Sequence, residues 1–173
     1  MAKRSIGHGF ERSKSLISAG LTLGLVTCAA PAGAQEKTVG GHVGVAIPLV
    51  TLADPVTSIS DQFTVLTPIG IGFKTSQHVI VDFETVVATQ VDPGGETGLV
   101  VDPGVIYDWG GVATGLRVAF QIGSRGNIGL IPLVNVGLVD LGGAKWFVEG
   151  AFPVFYVDDD VSLTLVAHTG VGF

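Results

Sequence analysis

VSLTLVAHTGVGF, running from Val161 to Phe173, is the stretch whose reading decides the fold. In an extended chain Val161, Leu163, Leu165, Ala167, Thr169, Val171 and Phe173 share one face, and Ser162, Thr164, Val166, His168, Gly170 and Gly172 share the other. One face is greasy and the other is small or polar. The contrast returns at 112–123, where Leu116, Val118, Phe120 and Ile122 oppose Gly115, Arg117, Ala119, Gln121 and Gly123. It returns again at 77–90, where Val79, Val81, Phe83 and Val87 oppose Asp82 and Glu84. Working outward, the chain after Gln35 divides into eight such segments, near 38–50, 62–74, 77–90, 97–109, 112–123, 127–139, 145–157 and 161–173, each closed by turn residues. β-branched and aromatic side chains suit a pleated surface and frequent glycine penalises helix interiors, so nothing longer than a turn or two reads as helix.

Composition sharpens this reading. The 173 residues are 47% hydrophobic and 14% charged, and mean hydropathy is positive, yet no long apolar run follows residue 35. Apolar surface broken into short alternating pieces is how a transmembrane barrel distributes its hydrophobicity. The prediction is an all-β fold, a single eight-stranded antiparallel up-and-down β-barrel over 35–173. Aromatic residues sit at segment ends, with Tyr107 and Trp109 closing the fourth, Trp146 opening the seventh, and Phe155 and Tyr156 closing it. Amphipathic rings favour bilayer interfaces. Alternation alone does not choose which face meets water, and a soluble barrel holding an apolar ligand, as in lipocalins, turns the greasy face inward.

The first 34 residues carry a different code. Lys3, Arg4, Arg12 and Lys14 stand against one acid, Glu11, and no charge occurs from Ser15 through Gln35. LISAGLTLGLV, from Leu16 to Val26, is too short for a transmembrane helix but suits the apolar core of a secretory signal, and Ala32-Gly33-Ala34 predicts cleavage before Gln35. The Leu25-Val26-Thr27-Cys28 run matches a lipoprotein signal less well, because Thr replaces the usual small residue before the cysteine. After cleavage no cysteine remains, which excludes disulfides and thiolate chemistry. Of fifteen acids only Glu11 is lost with the leader, and the bases left are Lys37, Lys74, Arg117, Arg125 and Lys145, so nucleic-acid binding is disfavoured.

Phe173, with Val171 and Leu165 at alternate positions before it, resembles the last strand of bacterial outer-membrane barrels. The likeness is to the small class that includes the OmpA transmembrane domain and OmpX, and is architectural, covering 38–173. It implies residence in the outer membrane among its lipids, recognition of Leu165, Val171 and Phe173 by the barrel-assembly machinery, and termini facing the periplasm. Tyr107, Trp109, Trp146 and Tyr156 become interface aromatics, and the segments near 51–61, 91–96, 124–126 and 157–160 become outward loops. The acidic Asp158-Asp159-Asp160 turn is read as a solvated charge run.

Counting inward positions in such a barrel yields a polar belt. His42, Asp82, Arg117, Glu149 and His168 fall at similar depth, with Glu84 and Asp102 one layer further out. Eight strands leave an interior just filled by side chains, so these groups must pair. Arg117, whose planar fork serves two carboxylates, is the expected hub. His42 and His168 lie on the first and last strands, and a metal held between them with Glu149 is conceivable, but hydrogen-bonded packing is the stronger reading; no metal and no cofactor are predicted. Pro48, Pro68, Pro103, Pro132 and Pro153 fall inside strands of a barrel that has no free edge, which predicts bulges or strand ends beside them.

No Gly-x-Ser-x-Gly, P-loop or Cys/His metal spacing is present, and no catalytic residue is assigned. The expected function is a structural or narrow porin-like outer-membrane barrel. The alternatives are the lipocalin-like barrel and a lipid A-modifying outer-membrane enzyme using His42 or His168.

Overall fold

A computed structural model of the chain describes residues 38–95, 97–123, 127–157 and 160–173. The expected leader over 1–34, with Cys28 and the cleavage point before Gln35, lies outside the described residues, as do Arg125, Asp158 and Asp159.

The described chain forms ten strands in one sheet: β1 (Val39–Leu52), β2 (Thr57–Ser58), β3 (Phe63–Lys74), β4 (Val79–Asp92), β5 (Thr97–Asp108), β6 (Val112–Ile122), β7 (Ile128–Asp140), β8 (Lys145–Ala151), β9 (Val154–Val157) and β10 (Asp160–Gly172). β2 is a short addition to β1, and β8 with β9 makes one interrupted stave, so the wall has eight staves. Each pairs antiparallel with its sequence neighbour. The sheet closes where β1 meets β10, from His42 opposite Gly172 to Leu52 opposite Leu163. The fold is a closed eight-stranded antiparallel barrel, and no helix occurs among the described residues.

Each proline stands where a ladder already breaks. Beside Pro48 the β1–β10 register slips by one residue between Pro48 and Val50, a bulge. Pro68 keeps its pairing with Val86 of β4, but the β1–β3 ladder jumps from Val43–Ile69 to Ala46–Leu66. Pro103 pairs with Phe83, while the β5–β6 ladder jumps from Val101–Phe120 to Gly104–Arg117. Pro132 and Pro153 share one gap: β8 stops at Ala151, the Phe152 amide donates to the Pro132 carbonyl at 2.9 Å, and β9 resumes at Val154. A proline has no N–H for the ladder, and the wall forgoes rungs beside it, on both flanks at Phe152-Pro153.

The pleat sorts side chains as the alternation predicts. Ile69, Ile71, Phe83, Val105, Leu116, Phe120, Leu130 and Val161 are exposed on the outer surface. Inside, the lumen has two unlike halves. Toward the end opposite the barrel's termini, Ala46, Ala119, Ile131, Leu133, Ala151 and Val166 are buried together as an apolar plug, with Leu66, Val100 and Phe155 packed against them. Toward the end that holds both termini of the barrel, a cavity of about 360 Å³ runs from Lys74, Asp108 and Lys145 at the rim down to Asp82, Arg117 and Glu149. The sequence reading expects a lumen filled throughout. This half stays open because its inward positions include Gly40, Gly72, Gly137 and Gly172, which bring no side chain to fill it.

Candidate functional site

Between the plug and the open cavity lies a belt of charge. Asp82, Glu84, Asp102, Arg117, Glu149 and His168 are all at most 6% exposed, and His42 is half-buried beside them. Burying an ionised side chain costs several kcal/mol unless it is paired, so the belt's geometry is strongly constrained.

Arg117, at the middle of β6, is the hub. It donates from Nε to Asp82 Oδ2 at 2.9 Å, and from Nη1 to Glu84 Oε1 at 3.2 Å and to Glu149 Oε1 at 3.3 Å; Nη2 lies 2.8 Å from Asp82 Oδ2. Arg117 and Asp82 are two strands apart, and the residue between them in register is Gly104. A Cβ there would sit 2.5 Å from Arg117 Cγ and 2.6 Å from the Leu116 carbonyl oxygen. The missing side chain is what lets the guanidinium stem lie flat across β5. His42 repeats the device: it stands opposite Gly70, which stands opposite Glu84, and the imidazole crosses the glycine to place Nε2 2.6 Å from Glu84 Oε2. Its Nδ1 lies 3.9 Å from Asp82 Oδ1.

On the far side, Glu149 sits in register between Asn135 and His168. Asn135 donates to Oε2 at 3.1 Å, and His168 Nδ1 is 3.2 Å from Oε1. Asp102 is opposite Glu84, 1% exposed, and its Oδ1 has no hydrogen-bond partner among the described residues, nor has His168 Nε2.

Three expectations change in detail. His42 falls in line with Glu84 and Asp102 and not with Asp82 and Arg117, because the staggered register carries His42, Gly70, Glu84 and Asp102 along one rung and Gly72, Asp82, Gly104 and Arg117 along the next. The two histidines do not meet. His42 is opposite Gly172 while His168 is opposite Ala46, a four-residue offset of roughly 13 Å along the strand. Phe147 stands between them, edge-on to both, at 6.3 Å from His42 and 5.1 Å from His168. The His42–His168–Glu149 metal arrangement is therefore not assembled; the imidazole of His42 instead lies with Asp82 and Glu84, whose ligand atoms and its own fall within 4.8 Å of one another. Both histidines point into the lumen, away from the outward-facing surface considered for a lipid-modifying site.

Sequence reasoning missed Asn135, Phe147 and the two bridging glycines. Asn135 was open to the same count of alternate positions, since Gly129, Ile131, Leu133 and Asn135 follow one another on the inner face of β7. Gly70 and Gly104 are recognisable only once the neighbouring strands are in register.

The aromatic residues separate into two rims. Tyr107, Trp109 and Trp146 lie at the end holding the barrel's termini, exposed on the outside; Tyr156 lies toward the other end. Tyr107 stacks on His78 at 5.5 Å and tilts against Trp109 at 4.4 Å. Trp109 donates to Thr114 Oγ1 at 3.0 Å and Trp146 to Thr169 Oγ1 at 2.8 Å, which anchors both indoles on the wall. Leu165 and Val171 are half-buried on β10, and Phe173 extends from it, paired with Gly41 through two 2.8 Å backbone bonds, its ring lying over the space where Gly41 has no side chain.

No protein-family model matches this chain, nor does any curated protein sequence or any solved structure.

Proposed function

We propose that this protein is a small integral barrel of the Gram-negative outer membrane with a structural, non-conducting role. The observation that carries the reading is the direction of the pleat: large apolar side chains from every long stave face outward, and the charged groups face the lumen. A barrel that binds an apolar ligand in water needs the opposite arrangement, because contiguous exposed apolar surface beyond a few hundred Å² is rare on soluble monomers. Hydrocarbon satisfies the outer face, and a closed sheet leaves no unpaired edge in the bilayer. The rim aromatics fit the headgroup level. Leu165, Val171 and Phe173 on β10 offer the assembly machinery the strand it reads.

The lumen argues for a structural role over a porin-like one. An ion crossing it would meet the Arg117 cluster and then the apolar plug around Ile131, Leu133 and Val166, with no polar lining to replace its water. Membrane fractionation tests the location: the protein stays with the outer membrane after carbonate washing and runs faster on gels when unheated. Monodisperse, folded protein in plain buffer overturns it. Planar-bilayer recording tests the role, and steady conductance rules out the closed lumen.

A further inference from the structure

We propose that His42, Asp82 and Glu84 form a binding site for a divalent transition-metal cation of the zinc class, reached through the cavity at the end of the barrel holding the termini. One imidazole nitrogen and two carboxylate oxygens already lie within 4.8 Å of one another. They come from two strands, β1 and β4, and the backbone holds both carboxylates in place: Asp82 and Glu84 are consecutive inward residues of β4, and each has its other oxygen fixed by Arg117. Metal ligands held by neighbouring hydrogen bonds are the arrangement that preorganises a site. The His42 Nε2 to Glu84 Oε2 contact must open from 2.6 Å to about 3.3 Å, the edge of a tetrahedron with bonds near 2.0 Å, and the Asp82 carboxylate, 3.9 Å from His42 Nδ1, must draw in. His42 is the most exposed member of the belt and borders the cavity with Asp82, so the ion has a path and the ring has room to swing.

Two further observations point to a cation. Three carboxylates, those of Asp82, Glu84 and Glu149, share one guanidinium. A divalent ion matches the excess of these carboxylates over the one guanidinium. The second is Asp102: almost wholly buried, inward-facing, and directly across from Glu84, it has an oxygen with no hydrogen-bond partner among the described residues. Its oxygens lie outside the group of ligand atoms that fall within 4.8 Å of one another, so Asp102 adds acidic character beside the ion and is not one of its ligands. The imidazole ligand selects against the hard ions Mg²⁺ and Ca²⁺, which prefer all-oxygen cages.

The site is inside the wall, so its occupancy is independent of what surrounds the barrel. The test uses the purified protein in detergent micelles, stripped with chelator and titrated with zinc chloride or cobalt chloride. Zinc raises the unfolding temperature and Mg²⁺ or Ca²⁺ at equal concentration does not; cobalt gives the intensified visible absorption of a low-coordinate nitrogen–oxygen site. His42→Ala and Glu84→Gln each weaken zinc binding by about tenfold or more, whereas His78→Ala, on the exposed turn before β4, binds as the parent does. Wild-type protein that leaves the cobalt spectrum as that of the aqueous ion overturns the proposal, and so does undiminished zinc affinity in His42→Ala. Should His42→Ala fail to fold, the wild-type cobalt spectrum and Glu84→Gln decide between the same two outcomes.

Discussion

Replacing Arg117 by methionine isolates the belt's contribution to stability. Methionine keeps most of the stem that crosses Gly104 and removes only the guanidinium, so packing changes little while Asp82, Glu84 and Glu149 lose contacts of 2.8 to 3.3 Å at once. All three carboxylates are at most 6% exposed, so water entering the cavity replaces the lost partner only in part. Removing one member of a buried ionic network costs about 3–5 kcal/mol, chiefly because the remaining charges are stranded. The assay is urea unfolding of the refolded barrel in lipid vesicles, followed by the fluorescence of Trp109 and Trp146 and by the mobility of unheated samples. Arg117→Met combined with Asp82→Asn and Glu84→Gln should recover at least half of the loss, since deleting a whole network is often close to neutral. A single variant within about 0.5 kcal/mol of wild type, the range of an ordinary surface substitution, refutes the hub.

Other expectations are simpler. Gly104→Val places a side chain against Arg117 and the Leu116 carbonyl, and should destabilise the barrel by about 1–3 kcal/mol, measured by the same unfolding assay, whereas Gly150→Ala on β8 should cost less because nothing lies within 4 Å of the added atom. Trp109 and Trp146, exposed at one rim, should be quenched more by lipids brominated near the headgroup than by lipids brominated at the chain end; the reverse order removes them from the interface. In the loop after β1, the Ser58 hydroxyl and amide donate to Asp61 at 2.7 and 2.8 Å and hold its carboxyl below the usual range. That turn should keep its contacts at neutral pH and lose them as pH falls through the lowered value, seen as faster amide exchange at Ser58 in acid or in Asp61→Ala.

Much of this architecture could be read from alternation alone. Seven of the eight expected segments coincide with β1, β3, β4, β5, β6, β7 and β10 to within two residues, because a half-apolar strand declares its period directly. The eighth, 145–157, splits at Phe152-Pro153, and the expectation that prolines mark irregularities is where the split was foreshadowed. The inward groups of the belt were equally accessible, being a matter of parity along each strand. What parity does not contain is the stagger between strands. Whether Glu84 reaches His42, whether His168 lies beside it or four residues away, and whether a glycine stands in the path of Arg117 all depend on cross-strand register, which is set by the turns and bulges around the whole barrel. The open cavity was hidden for a related reason: emptiness arises where several inward glycines from distant strands fall at one level.

The unequal halves of the lumen also shape an electric field. In a bilayer, water entering the cavity carries the potential of the bath on that side down to Arg117, so an applied voltage falls mainly across the plug built from Ala119, Ile131, Leu133 and Val166. The belt's charges then experience little of the drop, and reversing the polarity of the membrane leaves their pairing undisturbed.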